Sequence, residues 1–475
     1  MAIEAQNDAE RLLLEKVKTG EFADVSVPEG EKKKTVRAAF LRDICVRPDH
    51  YEVHAHGIWL VGAFIEGSLD LSFATLPLPL LLSECAFNEP LNLLHARAQT
   101  ISLQGCTVPE LIAGGLRVNG YLFLRNTVIN GQANLTGADI MGDLSCNEAT
   151  FKNPKGVAFA ADRITVGGNV TLKGSSDEQG NLEKNFSAEG EVRLAGAEIT
   201  GDLDCQCASF MNPGGIAFIA QALEVKGGLV WREMPAPPEG KVSFHHAKAG
   251  QFLDDKKSWP KPGYLKIDGF TYDTFANPTS AEDRLEWLDR MERMEGEEYI
   301  PQPYEQVVKV FRDAGHERDA RTVAIAKQDS LLKYGDISYL HKLWLWFLGY
   351  FIAYGYKPWW AFVWMLIPIL AGMALFWHAN VQGVMEPSKE RVYMSENYRN
   401  EKIIPEEYPR FQPLAYSLDV FLPFVDLHQE TYWLPNANRE PAGGFFRFYL
   451  WFHIALGWFL STIAVVGLTG VLKKD

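Results

Sequence analysis

The first half of the chain alternates apolar and polar residues over very short stretches, most of them introduced by a glycine. Such alternation predicts β-strands, and the glycines between them predict tight corners. Strands this short can bury a face only when successive coils stack on one another. The pattern Gly-x-apolar-x-Leu recurs as GSLDL at 67–71, GYLFL at 120–124, GQANL at 131–135, GNVTL at 168–172 and GEVRL at 190–194, with variants ending in Cys or Trp at 142–146, 201–205 and 227–231.

A long internal duplication supports this interpretation. GADIMGDLSCNEATFKNPKGVAFAADRITV at 137–166 returns as GAEITGDLDCQCASFMNPGGIAFIAQALEV at 196–225. Spacings of eleven and about twenty-two residues predict half and whole coils, so the duplicates are expected to lie roughly three coils apart. With coils ~4.8 Å apart, residues 53–275 would form a rod of roughly ten coils, about 50 Å long. Ladders along its axis are expected from Leu135, Ile140 and Leu144 and from their duplicates Leu194, Ile199 and Leu203.

The pentads ANLTG at 133–137 and ADIMG at 138–142 resemble the pentapeptide-repeat β-helix, in which a Leu-like central residue points inward. The five-residue phase is lost by Leu144. The predicted fold class is therefore mainly β, a less regular right-handed β-helix (solenoid), followed by an α-helical hairpin and two transmembrane helices.

The apolar period becomes helical from about residue 279. Ser280 and Asp283 predict a capping box, followed by an apolar helix face of Leu285, Leu288 and Met291. Residues 301–334 predict a helical hairpin that resembles one tetratricopeptide-like pair and should pack against the end of the β-helix. Its first helix has a proline in the first turn, an apolar face and a terminating glycine: Pro303, then Tyr304, Val307, Val308 and Phe311, then Gly315.

Two apolar segments near the C-terminus are long enough to cross a membrane. The first, 359–379, has His378 as its only ionisable residue and tryptophans at both ends, and the second is 448–471. The intervening loop is 380–444. An apolar stretch at 343–356, set off by Lys357 and Pro358, is shorter and is expected to lie at the interface. The predicted domains are an N-terminal cap at 1–52, the β-helix at 53–278, a helical region at 279–340 and a membrane domain at 341–475.

Basic residues flank the two predicted spans on one side. Because short basic flanks stay in the cytoplasm, the chain is expected to lie in a bacterial inner membrane with both termini cytoplasmic and loop 380–444 outside. The N-terminal twenty residues lack a continuous apolar stretch and predict neither a signal nor a transit peptide. A net charge of −14 without a basic block argues against nucleic acid as a partner. The flanking residues are Lys327, Lys333, Lys342, Lys357, Lys473 and Lys474.

Several segments together resemble one bacterial family. They are PQPYEQVVKVFRDAGHERDARTVAIAKQ at 301–328, NPGGIAF at 212–218, LAYSLDVFLPFVDLHQE at 414–430 and the terminal pair of spans. Members of this family are commonly labelled membrane-associated oxidoreductases, so the resemblance implies a redox activity at a membrane. The sequence itself contains no G-x-G-x-x-G opening a βαβ unit, no C-x-x-C and no C-x-x-C-H. It therefore predicts no catalytic residue, no cofactor and no metal centre.

The cysteines and histidines of the β-helix are better explained by structure than by chemistry. Cys205 and Cys207 offer two thiols on one strand face, too few for a zinc site, and are expected to fill the coil. All six cysteines are expected to be reduced thiols. His54 and His56 share a strand face without a third ligand and are expected at the surface of the cap. His245 and His246 would point to opposite faces of a strand.

The almost uncharged stretch LAYSLDVFLPFVDL at 414–427 is the most informative candidate site. A helix is expected around Ser417 and Asp419 and is broken by Pro423. Three alternatives remain open: an amphipathic helix on the outer surface or covering the bundle, a re-entrant element without a pore, and a pore with Asp426 at its mouth. A potassium filter needs glycines, and Pro423 and Val425 occupy their positions.

His453 lies inside the second span, where ionisable residues usually face another helix or a wet cavity. It is expected to snorkel towards the end of the helix or to pack between helices, with a functional role as the alternative.

Two function classes follow. The first is a membrane-tethered interaction or sensing protein whose β-helix binds an unknown protein or small ligand. The second is an oligomeric channel or pore gated by the cytoplasmic domain, and since two spans cannot enclose a pathway it requires a homo-oligomer. The lipid bilayer is a partner in both, and the oxidoreductase implied by the resemblance comes third.

Overall fold

The structure, a computed structural model, describes residues 3–468 apart from 29, 177–181, 293–298, 358 and 402. Lys473, Lys474, Pro358 and the last residues of the predicted second span lie outside the described residues. The chain divides into two compact units, Met1–Ala324 and Ile325–Asp475. The first is built on β-strands and the second on helices.

The first unit is a parallel β-solenoid of about nine turns. Its strands form four ladders that run from coil to coil, and these ladders merge in pairs at two long strands. One merged sheet has seventeen strands and the other has fourteen. Many coils are built from two-residue strands separated by sharp corners, which matches the glycine-punctuated pattern of the sequence.

In the seventeen-stranded sheet, the first ladder consists of Ala23–Asp24, Ile58–Val61, Leu80–Ser83, Ile101–Ser102, Leu122–Phe123, Leu144–Ser145, Val170–Thr171, Leu203–Asp204, Glu224–Trp231, Lys248–Asp254 and Thr271–Phe275. The second ladder consists of Thr75–Leu76, Arg97–Ala98, Arg117–Val118, Asp139–Ile140, Thr165–Val166 and Glu198–Ile199, and it joins the first at Glu224–Trp231.

In the fourteen-stranded sheet, the third ladder consists of Thr35–Arg37, Phe64–Glu66, Ala86–Phe87, Thr107–Val108, Val128–Ile129, Thr150–Ala160, Ser187–Arg193, Ser209–Ile219, Glu239–Ser243 and Leu265–Lys266. The fourth consists of Leu69–Asp70, Leu91–Asn92, Leu111–Ile112 and Ala133–Asn134, and it joins at Thr150–Ala160. A small antiparallel hairpin, Ser175–Ser176 with Leu182–Lys184, projects from one coil.

The predicted core ladders are present, but the coil count between the duplicates is wrong. Ile140 pairs with Val166 and Val166 with Ile199, so the duplicates lie two coils apart rather than three. Equivalent positions in these two coils are 26 and 33 residues apart, because the first contains the long strand Thr150–Ala160 and the second contains the projecting hairpin. The six predicted ladder residues are all buried.

Two helices close the start of the solenoid, and the first strand of each sheet lies among them, before residue 53. They are α1 (Asp8–Thr19) and α2 (Ala38–Val46), followed by a 3₁₀ turn at Pro48–Tyr51. Glu10 of α1 has no exposed surface and pairs with both Arg37 Nε and Nη2, at 2.8 and 2.7 Å. This pair fixes α1 to the strand that precedes α2.

Two further helices cover the last coil, after a 3₁₀ turn at Lys256–Ser258. They are α3 (Ala281–Leu288), which has the predicted Ser280–Asp283 capping box, and α4 (Gln302–Asp313). As expected, α4 packs on the end of the solenoid: Gln302 and Gln306 amides donate to the Phe270 and Tyr272 carbonyls. The chain turns at Gly315 and continues as α5 (Glu317–Tyr334), which completes the predicted hairpin.

The predicted inner face of α3 is only partly right. Leu288 is buried, but Leu285 and Met291 are only half-buried. Trp287 and Arg284 are buried instead, and the Arg284 guanidinium forms two hydrogen bonds with Asp254 of the last coils at 2.7 and 2.9 Å. A buried guanidinium is tolerated because the buried Asp254 carboxylate compensates its charge.

The second unit contains the remaining helices: α6 (Tyr339–Ile352), α7 (Trp360–Val381), α8 (Glu390–Met394), α9 (Glu396–Glu401), α10 (Pro413–Phe421), α11 (Gln429–Tyr432) and α12 (Gly443–Leu468). A 3₁₀ turn at Ala353–Gly355 separates α6 from α7, and Met385–Pro387 pairs with Trp433–Pro435 in a short antiparallel ribbon.

Two of these helices, α7 and α12, are long and apolar enough to cross a membrane. α12 begins at Gly443, five residues before the predicted start of the second span. Only 28% of the apolar stretch of α7 and 39% of that of α12 is buried, whereas the core helix of a soluble protein is mostly buried. Their outward-facing Leu366, Ile367, Phe448 and Trp451 are more than half exposed.

Candidate functional site: a short helix wedged between the two apolar helices

The predicted loop segment forms α10, which packs between α7 and α12. Pro413 occupies its first turn, where a missing N–H costs nothing. The helix ends at Phe421, since Pro423 cannot continue it, as the sequence predicts. Tyr416, Ser417 and Phe421 are completely buried.

Two glycines make room for α10. A Cβ atom on Gly372 of α7 would lie 2.4 Å from Ser417 Oγ, and one on Gly457 of α12 would lie 1.9 Å from the Phe421 carbonyl oxygen. No carbon can approach an oxygen so closely. Small residues in apolar helices commonly mark such close contacts, so these two glycines define the groove that α10 fills.

A buried hydrogen-bond network ties the three helices together at this point. Ser417 Oγ donates to the Ile369 carbonyl of α7 at 2.8 Å, and His453 Nε2 of α12 lies 3.1 Å from the same hydroxyl. Since the hydroxyl proton is directed at Ile369, we infer that His453 Nε2 is the donor. His453 Nδ1 then accepts from the Tyr449 hydroxyl, 3.3 Å away. The neutral imidazole is thus satisfied on both sides.

His453 therefore packs between helices and does not snorkel. Its side chain has no exposed surface, and its ring lies between Phe376 and Phe421, with centroid distances of 5.7 and 5.0 Å. The alternative of snorkelling towards the end of α12 is wrong because Ser417 of α10 supplies a buried partner 36 residues earlier in the chain.

Asp419 folds the segment after α10 back against the helix. It is buried, with Oδ1 accepting the Leu427 N–H at 2.6 Å and Oδ2 accepting the Glu430 N–H at 2.8 Å. Carboxylates that accept two backbone N–H groups hold a loop in one conformation. Asp419 thus has a structural role: it closes the turn from Leu422 to His428 and caps the start of α11.

Ionisable side chains lie on the exposed face of this turn. Asp426 Oδ1 accepts the His428 N–H at 2.9 Å and contacts its Nδ1 at 2.7 Å, and both side chains are about 70% exposed. Burial raises the pKa of Glu430, and the nearby Asp419 and Asp426 charges raise it further. Pro423 and Phe424, at the tip of the turn, are also exposed. The polar face of the turn therefore consists of Asp426, His428 and Glu430.

The position of this turn along the two long helices follows from its contacts. Ser417 meets α7 at Ile369, about 14 Å from the start and 18 Å from the end of that helix at ~1.5 Å per residue. Phe421 meets α12 at Gly457, near the middle of that helix. α10 and the turn after it thus lie beside the middle of the helix pair.

The structure brings the five predicted site residues into this one region and separates their roles. Ser417 and His453 form the buried network, Asp419 closes the turn, and Asp426 is exposed on it. Pro423 ends α10. Sequence reasoning missed Gly372, Gly457, His428 and Glu430. The two glycines, each standing alone in a long apolar run, were the signal that could have revealed the groove.

The cysteines of the solenoid and the histidine pair of its cap are held by packing and local hydrogen bonds. All six cysteines have free, buried thiols, and burial raises the pKa of Cys205 and of Cys207. His54 Nδ1 accepts the His56 N–H at 3.2 Å, and His56 Nδ1 lies 3.2 Å from the Gly20 carbonyl. These residues have packing roles and connect the cap to the first coil.

Comparison with known proteins adds no relative: no protein-family model, no curated protein and no solved structure matches this chain.

Proposed function

We propose that the protein is an oligomeric cation-conducting membrane pore in which the re-entrant segment made by α10 and its following turn lines the pathway. One observation supports this most directly. The Asp426–His428 pair is exposed at a level close to the middle of two apolar helices whose other outward residues suit lipid.

The energetic argument starts from the thickness of the bilayer. A hydrocarbon core is ~30 Å thick, and α7, with 22 residues, is about 33 Å long. If α7 and α12 span it, Asp426 and His428 lie near its midplane. Charged groups at that depth are costly unless they face water or other polar groups. Two spans cannot enclose a pathway, so neighbouring copies are needed to enclose a wet space around these side chains.

The charge of the turn indicates the ion. Asp426 and Glu430 outnumber His428 on the exposed face of the turn, and in a ring of copies these carboxylates would surround a common axis. Rings of acidic side chains favour cations. The turn has Pro423 and Val425 where a potassium-type carbonyl filter has glycines, so selection by charge rather than by carbonyl coordination is proposed.

We further propose an orientation of the chain in the membrane. The spans are assigned to a bacterial inner membrane, with the solenoid in the cytoplasm and loop 380–444 outside apart from its re-entrant segment. The basic flanks Lys327, Lys333, Lys342 and Lys357 support this orientation. The solenoid is taken as right-handed, since crossovers between parallel strands almost always are. It would act as the gating module.

We expect the Asp426→Asn variant to lose cation flux. In proteoliposomes at neutral pH, flux should fall by about tenfold, the change that ~1.4 kcal/mol of lost attraction would produce. The matched control is Glu406→Gln, which removes an exposed carboxylate elsewhere in the same loop. Equal flux in both variants, or no flux through the unmodified protein, would contradict the proposal.

A membrane-tethered binding protein is the second candidate, favoured by exposed aromatic residues on the solenoid. The ring centroids of Phe22 and Trp59 lie 5.4 Å apart, and the Tyr121 ring stacks on that of Phe123 beside the Arg125 guanidinium. Solenoids characteristically use such surfaces for binding. Light scattering of the detergent-solubilised chain separates the candidates: a pore requires several copies, whereas a monomer would favour the tethered module. A coloured sample would instead support the redox activity that the family resemblance implies.

A further inference from the structure

A corner of the solenoid gathers two imidazoles and a carboxylate. His245 and His246 occupy the turn between Glu239–Ser243 and Lys248–Asp254, and Asp268 occupies the equivalent turn of the next coil, between Leu265–Lys266 and Thr271–Phe275. The sequence predicted that the two histidines point to opposite faces, as they would in a strand. In the turn, His246 adopts a left-handed backbone conformation with φ of 53°, and the centroids of the two imidazole rings are 4.1 Å apart.

The potential ligand atoms converge. One donor atom of each residue lies within 4.8 Å of the other two, which in the described part of the chain is the only such group of three. His245 Nδ1 contacts the Asp268 carboxylate and is buried, yet this contact lacks hydrogen-bond geometry. Two imidazole nitrogens and a carboxylate oxygen gathered at one corner are donor groups that bind transition metals.

The surrounding backbone holds this arrangement in place. The His246 N–H donates to the Asp268 carbonyl at 2.8 Å, which locks the two turns together. Gly269 lies directly opposite the His246 ring, where a Cβ would come within 2.0 Å of Nδ1. The Gly269 N–H in turn donates to Gln302 of α4 at 2.8 Å. Glycine at this position therefore lets the imidazole lie over the next coil.

We propose that His245, His246 and Asp268 form a binding site for a divalent transition metal, with Zn²⁺ as the best match. Two imidazoles and one carboxylate are a common zinc ligand set that leaves a fourth position for water. Tetrahedral ligands at zinc distances lie ~3.3 Å apart, so small side-chain rotations complete the site. The site is only partly exposed, which suits a stable ion. This inference goes beyond the pore proposal and does not depend on it.

The test is zinc binding by the full-length protein in detergent, with any purification tag removed. After treatment with a chelator, the protein is titrated with Zn²⁺ against a chromophoric competitor, and bound metal is counted by mass spectrometry. We expect one tightly bound Zn²⁺ per chain. His246→Ala and the isosteric Asp268→Asn should each weaken zinc binding by at least about tenfold. Loss of a residue that only supports a ligand already costs about that much, and these residues are proposed to be ligands themselves.

His95 provides a matched control. It occupies the same kind of turn six coils earlier, with φ of 54°, and Gly115 lies opposite its ring as Gly269 does for His246. However, Leu94 precedes it and Gly114 stands where Asp268 would be. His95→Ala should leave zinc binding unchanged. Less than one zinc per chain, unchanged affinity in Asp268→Asn, or loss of the zinc in His95→Ala would overturn the proposal.

Discussion

Replacing Gly457 by valine is expected to displace α10 from its groove and to have the largest effect on the membrane unit. A Cβ at this position would lie 1.9 Å from the Phe421 oxygen and 2.7 Å from its carbonyl carbon, so backbone must move. The shift would break the Ser417–His453 contact. Overpacking of this kind costs about 1–3 kcal/mol or more. We expect a lower unfolding temperature in detergent and faster hydrogen exchange of the α10 amides.

Gly444 provides the control for this prediction. It lies in the same helix, but no atom stands within 4 Å of the place a Cβ would take. Gly444→Val should change the unfolding temperature and the exchange of α10 very little. If both valine variants behave alike, α10 does not occupy the groove. If the proposed pore is also correct, Gly457→Val should abolish cation flux, whereas Gly444→Val should preserve it.

The Arg284→Met variant is expected to destabilise the end of the solenoid by about 3–5 kcal/mol, because it leaves a buried carboxylate without its cation. The side chains of Arg284 and Asp254 are only 4% and 1% exposed. Asp254 Oδ2 also accepts from Trp259 Nε1 at 2.7 Å, and the guanidinium lies 4.2 Å from the centre of the Phe275 ring. Urea unfolding followed by tryptophan fluorescence measures the loss.

Two controls test whether the loss of stability comes from the unpaired buried carboxylate of Asp254. Lys18→Met removes an exposed ion pair with Glu52, whose side chains are 45% and 75% exposed. It should leave the stability almost unchanged, because water screens exposed ion pairs. The double variant Asp254→Leu with Arg284→Met should regain much of the stability, since no unpaired charge is left inside. An Arg284→Met variant as stable as Lys18→Met would show that the pair does not hold the last coil.

The solenoid could be predicted from the sequence because its strands have no other way to bury their apolar faces. Alternating residues such as Leu144, Val170 and Leu203 pair in register from coil to coil, and each is buried. The coil count could not be predicted, because the hairpin at Ser175–Lys184 lengthens one coil without disturbing the residues that return to the ladders. A repeat fixes which side chains point inward, whereas insertions at corners change the length of a coil freely.

The buried charges were invisible to pattern analysis. The helical period pointed to Leu285 and Met291, yet these are only half-buried whereas Arg284 is buried. Its partner, Asp254, lies 30 residues earlier. A single charged residue looks exposed by its chemistry alone, and only the three-dimensional partner reverses that expectation.

The sequence by itself determined the solenoid, the helical hairpin and the two long apolar helices, since each follows from a local period or length. It also singled out Ser417, Asp419, Pro423, Asp426 and His453 by their chemistry. Only the tertiary structure decided that α10 lies between α7 and α12, that Ser417 meets His453, and that His245, His246 and Asp268 share a corner. These contacts join residues far apart in the chain, and they depend on how closely backbones approach at positions such as Gly372 and Gly457, which no local pattern specifies.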